Sequence, residues 1–191
     1  MENEELKSRM DRIIEWVKIC DTKASIMLSV LSLSVGIIFT SDFVLGSLKN
    51  VIVNTFVVTA KGSFSWSALF AVLSAILAVF SLLCALGCYI LVLRAKTNEN
   101  QTEDQHLMLH SFIHFNHISE LTYEEFVRGM VDVDVTKDLT SQIYINAKRC
   151  SEKYSDYNSG VTWTVVSFLS AIVMILSLLI YVSFLSIPIT Y

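Results

Sequence analysis

Charge is scarce in this sequence. Of its 191 residues, 17% are Asp, Glu, Lys or Arg, against roughly 25% in soluble domains, and the mean hydropathy is +0.57. That balance excludes an ordinary soluble domain and points to lipid as the solvent. Proline occurs once, at Pro188, and glycine six times, which disfavours a turn-rich β architecture and leaves room for long unbroken helices. The four cysteines, Cys20, Cys84, Cys88 and Cys150, form no CxxC, so neither a disulfide nor a zinc framework is indicated. No stretch is basic enough for a nucleic-acid groove, and the net charge is -4, which removes nucleic acid as a partner. There is no GxSxG, no P-loop and no pair of catalytic acids. Nothing therefore supports enzymatic turnover, and no cofactor is implied. Acids and bases alternate up to Lys23 before any apolar run begins, unlike a secretory signal, so the first apolar helix is expected to stay.

What is present is three long apolar runs. Ala24 to Ser41 holds eighteen residues without a charge, which as a helix reaches about 27 Å, close to the hydrocarbon thickness of a bilayer. Ser65 to Leu93 opens on Trp66 and closes at Arg94 and Lys96; Gly160 to Ile187 is entered by Trp163 and ended by Pro188. These predict an all-α membrane protein with three transmembrane helices over 24–46, 65–93 and 159–187. A small, mainly helical cytosolic domain over 94–158 lies between spans two and three. Residues 47–64 form an extracytoplasmic loop and 188–191 a short tail. The loop contains VIVNTFVVTA, which suits a hairpin, an interfacial segment or a weak extra span. Counting it as a span would bring Lys49 toward lipid, at about 2.5 to 3.5 kcal/mol for a lysine at the centre.

Orientation follows from lysine and arginine, which are retained on the cytosolic side. Lys7, Arg9, Arg12, Lys18 and Lys23 precede the first span, Arg94 and Lys96 follow the second, and Lys148, Arg149 and Lys153 precede the third, against Lys49 and Lys61 in the opposite loop. The amino terminus and the insert are thus expected in the cytosol and the carboxyl terminus outside. Apolar Leu6, Met10, Ile13, Ile14, Val17 and Cys20 fall at helical spacing over 1–23, which predicts one helix running from the cytosol into the first span. In the insert, Thr122 and Glu125 have capping-box spacing. Asp134 or Thr136 can cap a helix from about Lys137, with Leu139, Ile143 and Ala147 on one face and no breaker before Gly160. The third span is therefore read as continuing a cytosolic helix.

Each span carries small or hydroxylated residues every three to four positions: Ser25, Ser29, Ser32 and Gly36 in the first, Ser67 through Cys88 in the second, Gly160 through Ala171 in the third. Such stripes allow close backbone approach in lipid. They serve packing within the bundle or, on a second face, a homo-oligomer. No ionisable side chain sits in the middle of a span, which disfavours a permanent ion pathway. His106, His110, His114 and His117 lie within twelve residues; they read as a half-buried aromatic segment rather than a metal site, because no cysteine or acid lies at matching spacing. Asp21 and Lys23, where the first helix meets the membrane, are a snorkelling lysine beside an acid or the edge of a polar site. Gln142, Tyr144, Asn146, Lys148 and Lys153 on the helix entering span three would complete that site, which would suit a small anionic ligand.

Asp21-Thr22-Lys23-Ala24-Ser25 opens the first span. Phe115-Asn116-His117-Ile118 is followed by Leu121-Thr122-Tyr123-Glu124-Glu125-Phe126, and Gln142-Ile143-Tyr144 with Lys153-Tyr154 leads into the last span. In that order the chain resembles the transmembrane effectors of bacterial Pycsar antiphage defence. The resemblance implies a partner cyclase that makes cyclic CMP or cyclic UMP during infection, and an effector that senses this cyclic pyrimidine nucleotide. It also implies impairment of the bacterial inner membrane, so that the infected cell dies or stops growing before phage is released. With Phe115 and His117 added from its motifs, the ligand-binding set becomes Asp21, Lys23, Phe115, His117, Gln142, Tyr144, Lys148 and Lys153. The competing reading is a membrane-anchored interaction or assembly protein without a nucleotide ligand.

Overall fold

The computed structural model describes residues 2–58, 66–94, 107–108 and 111–185. Expectations for 59–65, for the polar linker over 95–106, for His106 and His110 and for the 188–191 tail lie outside the described residues. Among the described residues every regular element is a helix: α1 Glu2–Thr40, α2 Asp42–Val58, α3 Trp66–Leu93, α4 Phe115–Glu120, α5 Tyr123–Asp132 and α6 Val135–Leu185. Among the described residues three helices are long and apolar enough to cross a membrane, and the protein is an all-α membrane protein. The apolar part of α2, Val44–Val53, is too short to cross.

α1 runs through Lys23 and α6 through Asn158 without interruption. At about 1.5 Å per residue, the 39 residues of α1 and the 51 of α6 reach about 58 and about 76 Å. A bilayer core is about 30 Å thick, so each is far longer than a span requires. α1 ends at Thr40, before the end of the 24–46 stretch, because Ser41 caps a new helix: its hydroxyl accepts from Val44 N at 3.4 Å and its carbonyl from Leu45 N at 3.1 Å. Asp42 in the first turn suits the helix dipole. Residues 47–58 are accordingly helical, and the hairpin that the β-branched content allowed is not formed.

The chain divides into two compact units. One comprises Ser25–Ile90 and Tyr157–Tyr191. Its core joins Val44 and Val51 of α2, Ala68 and Ala71 of α3, and Met174, Leu178 and Tyr181 of α6. Small side chains let α3 and α6 approach: Ser74, Ser81, Ala85, Thr164 and Ser170 are buried. Ser167 Oγ donates to Ala78 O at 3.1 Å, and Tyr89 OH meets Thr164 Oγ1 at 3.1 Å. Gly160 faces the buried Tyr89 ring so closely that a Cβ there would lie 2.8 Å from Cε1. Large apolar side chains such as Phe70, Leu73, Ile76, Leu83, Leu169 and Ile172 stay exposed, as a lipid-facing surface requires. The small-residue stripes of α3 and α6 thus pack inward. Ser25, Ser29 and Ser32 of α1 are exposed, with Ser29 and Ser32 hydroxyls donating to Ser25 O and Leu28 O of their own helix.

The other unit comprises Met1–Ala24 and Leu91–Asp156. Thr122 N-caps α5 in a full capping box with Glu125, as the spacing predicts. Asp134 caps α6, its Oδ1 accepting from Thr136 N and Lys137 N at 3.1 Å each, so the helix starts at Val135. The inward face of its first turns is Asp138, Leu139, Ser141, Gln142 and Ile145. Ile143 is half-buried and Ala147 exposed, so only Leu139 of the Leu139, Ile143 and Ala147 face lies fully inside.

Candidate functional site

Three places in the second unit gather polar and aromatic side chains. The first is where the end of its α1 segment meets α6. Lys153 Nζ donates to Asp21 Oδ1 at 2.6 Å, with the Lys153 side chain 14% exposed and that of Asp21 37%. One residue further along α6, the Tyr154 ring lies 5.9 Å beneath Lys23 Nζ and edge-on to Trp16 at 6.1 Å. A cation over an aromatic face and an ion pair on adjacent residues tie the same two helices twice. Alongside runs an apolar groove of about 280 Å³ lined by Ile13, Trp16, Ala147, Cys150, Ser151 and Tyr154. Burial pushes the Cys150 thiol up from its ordinary value, opposed by the Lys153 ammonium, so it is a weak nucleophile.

The second place is the segment before α4. Ser111 is buried and its hydroxyl accepts from Ile113 N at 3.0 Å and His114 N at 3.2 Å. Asp138 of α6, 1% exposed, accepts from Phe112 N through Oδ2 at 2.9 Å, which holds the segment on α6. The Phe112 ring then organises what surrounds it. It meets His117 edge-on at 5.5 Å and Phe126 at 6.3 Å, and it covers Gly129, where any Cβ would overlap the ring. At the start of α5 the Thr122 backbone N–H and hydroxyl donate to the Glu125 carboxylate at 2.9 and 2.8 Å, and these bonds hold its pKa below the ordinary value.

The third place is a cavity of about 470 Å³ beside the first turns of α6, lined by Leu107, Asp134, Thr136, Lys137, Thr140, Ser141 and Tyr144. Ser141 Oγ accepts from Met108 N at 3.1 Å, which pins the wall carrying Leu107.

Of the eight residues expected to bind ligand, five lie at these places. Asp21, Lys23 and Lys153 come together at the first. His117 lies at the second, packed on Phe112. Phe115 begins α4, and its side chain lies outside the described residues. Tyr144 lies at the third, 49% exposed. Gln142 is buried on α6 and Lys148 is exposed. Trp16, Asp138 and Ser141 were absent from the sequence reading. Only their types gave a signal: an indole just before a membrane border, and an acid and a hydroxyl in the first two turns of a helix. No group of three or more His, Cys, Asp or Glu among the described residues has the geometry to hold a metal ion.

Fold and site together define a multi-span membrane protein in which two helices carry both polar and apolar segments, with a compact polar-and-aromatic unit built on them. The family described as Pycsar effector protein domain matches residues 5–181, and the chain belongs to that family. It is 27% identical over 177 residues, 90% of each chain, to the Pycsar effector protein GmPycTM of Gulbenkiania mobilis. No solved structure matches. The protein is accordingly an effector of Pycsar antiphage defence, which signals through cyclic pyrimidine nucleotides.

Proposed function

We propose that the protein senses cyclic CMP or cyclic UMP in the bacterial cytosol and, on binding, impairs the inner membrane, so that the infected cell stops growing or dies before phage is released. The observation that carries this reading is the continuity of α1 and α6 through Lys23 and Asn158. A helix without a break transmits displacement of its polar end along its axis, whereas a linker would dissipate it. The Asp21–Lys153 pair and the Lys23–Tyr154 contact lie where the polar parts of both helices end, well placed to register such a displacement. The partition of lysine and arginine supports a cytosolic amino terminus and insert with an outer carboxyl terminus. The absence of a mid-span charge supports helix rearrangement or assembly into a homo-oligomer over a permanent channel. The chemistry asked of the protein is binding alone, with no bond made or broken. Co-expression with a cognate pyrimidine cyclase should depolarise cells, read with a potential-sensitive dye. An unchanged potential at nucleotide levels that saturate the purified protein refutes the proposal.

A further inference from the structure

We infer that the cavity beside the first turns of α6 is the nucleotide site, with Tyr144 stacking the base and Lys137 pairing the phosphate. The identity of the base as a pyrimidine rests on the function proposed above; the site itself rests on the cavity. Its volume of about 470 Å³ falls within the roughly 300–1,000 Å³ of small-molecule sites, enough for one mononucleotide. Its lining supplies one group for each part of such a ligand. Tyr144 is 49% exposed and offers an aromatic face, on which any base stacks. Lys137 is exposed and has no carboxylate partner among the described residues, leaving its ammonium for an anion. Asp134 spends Oδ1 on the Thr136 and Lys137 amides, and its second oxygen can accept a ribose hydroxyl, as acidic residues do in nucleotide sites. Thr140 Oγ1 donates to Thr136 O at 2.7 Å and keeps lone pairs to accept from a base N–H.

The charge count selects the kind of phosphate. One lysine beside one carboxylate suits a cyclic phosphodiester with a single negative charge better than an open monophosphate, which carries roughly 1.5 to 2. The Asp21–Lys153 cluster is less suited to receive it. There the ammonium is already paired at 2.6 Å and only 14% exposed, so a ligand would first have to separate the pair. A ligand in the α6 cavity touches both α6 and the pinned segment at Met108, through Ser141. It can therefore shift one against the other.

The test is calorimetric titration of the full chain in detergent with cyclic CMP, cyclic UMP and cyclic AMP. It compares wild type with Tyr144→Ala, Tyr144→Phe and Lys137→Met, all exposed positions whose replacement leaves the core intact. Removing a stacking ring should weaken pyrimidine nucleotide binding by about 5-fold to about 150-fold. Tyr144→Phe should stay within about 3-fold of wild type, and Lys137→Met should lose about 10-fold or more. Wild-type binding that neither Tyr144→Ala nor Lys137→Met alters overturns the site while leaving the proposed function standing. Binding of cyclic AMP alone, lost in Tyr144→Ala, supports the site and overturns the pyrimidine reading. No binding of any of the three overturns both.

Discussion

The Asp21–Lys153 pair makes a prediction whose size follows from its burial. An exposed ion pair contributes about 0 to 1 kcal/mol, and breaking a fully buried one by removing one partner costs about 3–5 kcal/mol. This pair lies between, and unequally so: the Lys153 side chain is 14% exposed and that of Asp21 is 37%. Lys153→Met leaves a carboxylate that still reaches water, so its loss is discounted for screening to about 1 kcal/mol. Asp21→Asn strands a largely buried ammonium and should cost about 2 kcal/mol. The double variant removes both charges, and the coupling energy from the four-protein cycle should be about 1 kcal/mol. Reversible unfolding by SDS in mixed micelles measures each corner. Raising the ionic strength from about 0.05 to about 0.5 M should remove less than half of the coupling, because a partly buried pair is screened less than a surface one. A coupling below about 0.3 kcal/mol, or a larger loss for Lys153→Met than for Asp21→Asn, refutes the assignment of the pair as a tie between α1 and α6.

Gly160→Ala places a Cβ 2.8 Å from Cε1 and 3.0 Å from Cζ of Tyr89, whose side chain is fully buried. Overpacking of this kind should cost about 1–3 kcal/mol in the same unfolding assay, and a neutral result would mean the ring moves freely. The Glu125 carboxylate carries the pH dependence of α5. Its pKa in the fold lies below the ordinary 4.5 because the Thr122 backbone N–H and hydroxyl donate to its charged form. The stabilisation is therefore full above the unfolded value and declines as the pH falls through the folded one. Amide-exchange protection in the first turn of α5, corrected for intrinsic rates, should fall over that window in the wild type. It should stay flat in Glu125→Gln, and equal slopes would refute the link.

Much of the fold was legible because lipid imposes a coarse rule. Charge-free runs long enough to span announce themselves, and the lack of any breaker between Lys137 and Gly160 announced that α6 would not stop at the membrane border. The capping box at Thr122 and Glu125 was legible for a similar reason, since two side chains and two amides settle it locally. The end of α1 at Thr40 and the helix over 42–58 were not. Ser41 stands in an apolar run where many serines lie inside helices, and only its hydroxyl and carbonyl bonds to Val44 N and Leu45 N make it a cap. The β-branched residues after Lys49 favour a strand by propensity. Val44 and Val51 are helical because they share a core with Ala68, Ala71 and Leu178, a tertiary effect that outweighs a weak local preference.

The place where α1 meets α6 was harder to read, because its pairs join residues more than a hundred positions apart. Sequence marked Asp21 and Lys23 as charges at a membrane border and Lys153 as a charge before the next, but it gave no reason to pair Asp21 with Lys153 and set Lys23 over Tyr154. The small-residue stripes show the same limit from the other side. A stripe states that a backbone can approach closely and leaves open what approaches it. In α3 and α6 the answer is the neighbouring helix, with Ser167 donating to Ala78 O. In α1, Ser29 and Ser32 donate to carbonyls of their own helix four residues back, so these two hydroxyls are satisfied when that face meets acyl chains. Lipid exposure of α1 is then stable without a partner. Association through that face would be driven by the close packing that small side chains permit, not by hydrogen bonds waiting to be made.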